Sequence, residues 1–192
     1  MNNFFKNEYG KCWDFIKGSR RFIYGIIIVF LVLGLIGFFV PFPEALTNEI
    51  MNYIQKLLEK TKDFNVFEMT GFIFLNNFKA SLIGMILGVF VGIFPLINAI
   101  SNGAVLGLVS RLSVNEQGLS SLWKLFPHGI FELPAIFISL GLGMKIGSFV
   151  FEKKKIKALK HYVIESLRVF VFVILPLLII AAIIEGFLIF AV

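Results

Sequence analysis

The chain of 192 residues has a single cysteine, Cys12. One thiol excludes an internal disulfide and every metal site built from several cysteines. Charge is scarce as well: 16% of residues are Asp, Glu, Lys or Arg, against about 25% in soluble domains. There are six prolines and no low-complexity tract or internal repeat. Disorder, collagen, coiled coil and a secreted disulfide scaffold are thereby excluded. The motifs of the common hydrolases are missing too: no H-E-x-x-H, no G-x-S-x-G and no Cys–His pair. No nucleic-acid-binding motif is present, so nucleic acid is not an expected partner. Neither a cofactor nor a metal site is expected, and the chain does not read as an enzyme, with a membrane-embedded hydrolase kept as a further alternative. Cys12 reads as an apolar residue at a membrane interface.

What is present is apolar. Hydrophobic residues make up 58% of the chain, 24 of the residues are Phe, and the mean hydropathy is +0.89. That composition predicts an all-α, polytopic membrane bundle. Three long apolar stretches stand out at 22–40, 127–151 and 169–192. Each is long enough to cross about 30 Å of hydrocarbon at 1.5 Å per residue. The stretch 71–112 is too long for one helix, and Pro95 sits near its centre. It divides into 72–94 and a short span, 97–112. The first stretch follows charged residues and exceeds the length of a signal-peptide core, so it is expected to stay as a span.

Charge supports five spans. Residues 1–21 carry five Lys/Arg and 152–168 carry six, whereas 41–71 and 113–126 carry three and one. Five spans with the N-terminus inside put the first two segments in the cytoplasm, as the positive-inside rule requires. A multi-pass protein of the plasma membrane is expected, with its C-terminus outside. Residues 4–17, 44–60 and 156–167 each have an apolar stripe at helical spacing and read as helices lying in the interface. The chain divides into an N-terminal part, 1–71, and a membrane core, 72–192.

Small residues recur at intervals of four: Gly84, Gly88 and Gly92 in the second span, Gly103 and Gly107 in the third, and Ala135, Ser139, Gly143 and Gly147 in the fourth. Such stripes let helix backbones approach closely. They predict a tight bundle around the second span, and they also offer faces for a homo-oligomer. Asn98, Ser101 and Asn102 read as the N-terminal cap region of the third span. Lys145 reads as a snorkelling residue near the inner end of the fourth.

A second group of polar residues falls inside the apolar stretches. His128 and Glu132 are four apart, on one helical face. Pro134 invites a kink beside them. Glu132 is about 7 Å and Glu185 about 10 Å from the outer end of its helix. Asn76, Asn77 and Lys79 lie at similar depth on the second span, and Arg111 closes the third. A bare charge in hydrocarbon costs several kcal/mol, so residues of this kind are paired, line a path, or both.

The run Pro127-His128-Gly129-Ile130-Phe131-Glu132-Leu133-Pro134-Ala135 resembles the stage II sporulation protein M (SpoIIM) family. So do Leu75-Asn76-Asn77 followed by Gly84 and Gly88, Asn102-Gly103 with Leu106-Gly107, and Ala181-Ala182-Ile183-Ile184-Glu185. The resemblance covers about residues 70–190; the first 70 agree only in layout. It implies a stand-alone relative of a non-enzymatic membrane subunit that acts in envelope remodelling during engulfment. The motif falls on His128, Glu132, Glu185 and Asn77, the residues that depth had singled out. Two functions follow as expectations. One is a channel- or transporter-like protein for an ion, proton or small solute. The other is a scaffold that holds envelope proteins through 41–71. Membrane lipids are partners in either case.

Overall fold

The computed structural model describes the backbone of residues 2–191 and the side chains of 4–122 and 132–190. Seven α-helices follow one another: α1 Asn2–Phe39, α2 Glu44–Thr61, α3 Val66–Ile86, α4 Ile93–Gln117, α5 Phe126–Gly147, α6 Lys155–Val169 and α7 Leu175–Ala191. No strand occurs among the described residues. The fold is the expected helical bundle, and five of its helical segments are long and apolar enough to cross a membrane.

Two boundaries differ from the sequence reading in a way that matters for function. The N-terminal charged segment is not a separate interfacial helix. It runs unbroken into the first span as the 38-residue α1, because nothing between Gly18 and Phe22 breaks a helix. Likewise α6 passes into α7 through a π-turn at Phe170–Ile174. The apolar-to-charged segments Phe4–Phe39 and Lys155–Phe190 are 36 residues each. At 1.5 Å per residue that is about 54 Å, well beyond the hydrocarbon thickness. The charged residues gather in the excess, the arms 4–21 and 155–168. The arms pack on each other, with Phe15 edge-on to His161 and Tyr9 edge-on to Phe172. Cys12 packs within the protein rather than against lipid. It is 1% exposed, in the same core cluster as Val169 and Phe170.

The third span is longer than expected. α3 ends at Ile86, a short 3-10 turn covers Leu87–Val89, and α4 starts at Ile93. Val91 and Gly92 both take the left-handed backbone conformation there, with φ of 57° and 76°. Asn98, Ser101 and Asn102 are therefore not a cap but lie inside α4. Asn102 donates to the Asn98 carbonyl and side chain at 2.9 Å. Pro95 falls in the first turn of α4, where its missing N–H is tolerated. A cap does form at α3, where the Asn65 side chain accepts from Phe67 and Glu68 and Glu68 accepts from the Asn65 N–H.

The centre of the bundle is α5, not α3. α5 touches α1, α3, α4, α6 and α7. Small residues carry these contacts. A Cβ at Gly88 would meet the Gly143 carbonyl oxygen at 2.1 Å, and one at Gly107 would meet the Gly34 carbonyl oxygen at 2.1 Å. A Cβ at Gly103 would meet the Phe30 carbonyl oxygen at 2.4 Å, Gly84 faces Leu140, Gly92 faces Met144, and Gly143 faces Pro95 and Met85. The Ser139 hydroxyl donates to the Ser81 carbonyl at 2.7 Å, tying α5 to α3.

Candidate functional site

The contacts fix the register of α3, α5 and α7. Ser81 faces Ser139, Gly88 faces Gly143, and Gly147 faces Gly92, so α3 and α5 run parallel. Gly186 lies against Thr70 and Phe170, before α7, packs on Phe78, so α7 runs antiparallel to α3. Each helix has a buried stripe toward the other two. On α3 it is Ile73, Asn77, Ser81 and Met85. On α5 it includes Ala135, Ser139, Leu142 and Ile146; on α7 it includes Leu178, Ala181 and Ala182, continued by Ile174 in the π-turn before it.

Three residues of the sequence-predicted site continue these stripes. Asn77 is on the α3 stripe and 9% exposed. Glu132 lies one turn before Ala135 on α5. Glu185 lies one turn beyond Ala181 on α7, with its Oε2 fully buried. The register puts Glu132 about one turn from Asn77 along the bundle, and Glu185 about one turn further. Neither carboxylate is without a partner. Below them the seam closes over Ser139, Leu142, Ile146, Ile174 and Leu178, all buried.

The other predicted residues fall elsewhere. Asn76 and Lys79 are exposed, off the α3 stripe. Asn76 donates to the Asn77 Oδ1 at 3.4 Å. Arg111 is half-buried within α4 rather than at its end, since α4 continues to Gln117. The side chain of His128 lies outside the described residues; its backbone is in the first turn of α5.

At the opposite end of the bundle is a pocket that sequence reading missed. It has a volume of about 590 Å³ and lies between the α1 arm, α6 and the end of α5. Arg168 Nε is 2.8 Å from Glu8 Oε2, and Lys11 Nζ is 2.6 Å from Glu8 Oε1. Arg168 also pairs with Glu165. Tyr162 donates its hydroxyl to Glu152 at 2.6 Å. Lys145 sits with its Nζ 4.0 Å from the centre of the Tyr162 ring. The signal was available in part: two basic segments assigned to one side of a membrane can meet. Their helical continuity with the spans, which makes them meet, has no mark in composition.

A helical bundle with five such segments, packed on glycines and holding carboxylates inside its apolar part, is a polytopic integral membrane protein. The chain belongs to the stage II sporulation protein M family, whose family model matches residues 26–188. The match begins in the first span, well before the region near residue 70 where the sequence resemblance starts. An uncharacterised protein of Methanocaldococcus jannaschii is 26% identical over 174 residues, which is 88% of this chain and 77% of that protein. No solved structure matches the chain.

Proposed function

We propose that the protein binds and passes a cation, proton or small cationic solute through the polar seam of α3, α5 and α7. The observation that carries this reading is the convergence of Asn77, Glu132 and Glu185 at the same end of three facing stripes. Ionisable groups on such stripes face a bundle interior, where they serve ion or proton pathways. Two acidic residues and an amide supply oxygen ligands suited to a hard cation or a proton. The dry section below argues against an open pore within one subunit. Passage then requires a movement of α5 against α3 and α7, or a path between subunits of a homo-oligomer. The reading has the two basic arms in the cytoplasm and the carboxylate end outside, in keeping with the positive-inside rule.

The test is ion and proton flux into liposomes, with wild type beside Glu132→Gln and Glu185→Gln at equal folded yield. Flux in the wild type that both variants lose by at least tenfold supports the reading. Equal flux in all three, or none in the wild type across the common ions, rejects it.

A second reading rests on α2. This helix stands largely apart from the bundle, and Leu46, Met51, Tyr53 and Leu58 are all exposed on it. That surface suits a scaffold for envelope proteins. Replacing 44–60 by a polar helix then removes partner capture and leaves the bundle intact, which detergent pull-down against the unaltered chain measures.

A further inference from the structure

The pocket between the α1 arm, α5 and α6 plays no part in the proposed passage of cations. Its charges are of the wrong sign for that task. The two arms that flank it, residues 1–21 and 152–168, carry eleven Lys/Arg against four Asp/Glu. A cleft set in such a field concentrates anions.

The pairing inside the pocket sharpens this. Of the four carboxylates, Glu8 is held by Lys11 and Arg168, Glu165 by Arg168, and Glu152 by the Tyr162 hydroxyl. Those charges are answered locally. Lys145 differs: its ammonium lies over the faces of Tyr162 and Phe22, at 4.0 and 5.6 Å, and the Glu152 carboxylate acts on it only from beyond ion-pair distance. Among the described residues no carboxylate lies within ion-pair distance of it.

A donor stands opposite Lys145. Gly141 packs on Ile23 in an antiparallel contact between α5 and α1. One turn along, that register brings Ser19 level with Lys145, and both residues line the pocket. Ser19 is 0% exposed and its Oγ has no hydrogen-bond partner. A buried hydroxyl left unsatisfied is destabilising, and a ligand oxygen accepting from it removes that cost. His161 adds a further donor at the wall, beside the rings of Phe15 and Tyr162. The volume, about 590 Å³, is within the range of small-molecule sites and far exceeds one bare phosphate.

We propose that this pocket binds the phosphate group of an organic phosphate monoester, held by Lys145, Ser19 and His161, with the organic part against Phe15 and Tyr162. A soluble phosphate ester and the headgroup of phosphatidic acid offer the same chemistry, since the pocket lies where the arms leave the lipid. Asp14, exposed on the pocket wall, opposes the anion.

The test uses the full chain in phosphatidylcholine nanodiscs. One arm adds glycerol 3-phosphate, with sodium sulfate at matched ionic strength as control, and reads thermal stability and calorimetric Kd. The second arm replaces a tenth of the lipid by phosphatidic acid. Stabilisation in the first arm assigns a soluble ligand, and stabilisation confined to the second assigns a lipid. In the responding arm, Lys145→Gln is expected to weaken binding at least tenfold, and Asp14→Asn to tighten it severalfold. Asp14 is exposed, so its variant keeps the fold. The proposal is overturned if neither arm stabilises the wild type, if sulfate does so equally, or if both variants bind as the wild type does.

Discussion

A methyl group added at Gly88 would lie 2.1 Å from the backbone oxygen of Gly143, and neither backbone can yield without parting α3 from α5. Gly88→Ala is therefore expected to destabilise the protein by about 1–3 kcal/mol, the usual range for overpacking. Gly25 is the contrast. It lies in α1 with open space around the position of a Cβ. Gly25→Ala removes a glycine from a helix and is expected to stabilise by about 0.5–1 kcal/mol. Thermal unfolding of both variants in one detergent checks the pair; a similar shift in both would mean that glycine spacing, not contact, was being read. The interval of four could be read from the sequence because the helix repeat puts such residues on one face. Which helix each face meets could not. Gly103 and Gly107 pack on α1 at Phe30 and Gly34, a pairing between residues far apart in the chain that no local pattern encodes. The same holds for the polar residues. Depth singled out Asn77, Glu132 and Glu185, which the helix register sets within about two turns of one another along the bundle. It also gathered in Lys79, which faces outward, because depth counts residues along a helix and ignores rotation about it.

At the scale of elements, the informative feature is the reversal between α3 and α4. Val91 takes a left-handed conformation that costs a β-branched residue roughly 1–2 kcal/mol, and its side chain is 51% exposed, so little packing offsets that cost. Glycine adopts the conformation freely but is more mobile in the unfolded chain. The balance predicts that Val91→Gly stabilises by about 1 kcal/mol, measured by the same thermal unfolding. A loss of stability would mean that Val91 holds the reversal through contacts. From sequence, Pro95 marked the break correctly, but the turn falls several residues before it, because proline fits the first turn of a helix as well as it ends one. The arms show a related limit. Their amphipathic stripes were legible, and a stripe fits both a lipid surface and a neighbouring helix. Here the neighbour is in part another arm: Cys12 of the α1 stripe is buried in the cluster that holds Val169 and Phe170, and the Glu8–Arg168 pair joins α1 to α6, while Phe5, Tyr9 and Trp13 of the same stripe stay exposed.

At the scale of the whole molecule, the arms, the five apolar segments and the two polar regions fix a polarity along the bundle. One end gathers both basic arms and the pocket; the other holds the carboxylates and, beyond α1, the exposed α2. This arrangement makes a prediction about sidedness that needs no ligand. The sole cysteine, Cys12, is fully buried and gives little background in thiol labelling. Single cysteines introduced as Asp63→Cys, after α2, and Lys157→Cys, in α6, occupy exposed positions at opposite ends. A membrane-impermeant maleimide added to intact cells is expected to label the first and to reach the second only after the membrane is opened. A bundle with its basic arms facing outward would give the reverse pattern, and the carboxylate site would then open to the cytoplasm. Labelling of both from the same side would break the five-span topology itself, because an odd number of crossings separates the two positions: α3, α4 and α5. Sidedness in turn decides which pool each region meets. With the arms inside, the carboxylates of α5 and α7 face the exterior and the Lys145 pocket faces the metabolites and inner leaflet of the cell, so a cation from outside and an anion from inside would reach opposite ends of the central helix α5.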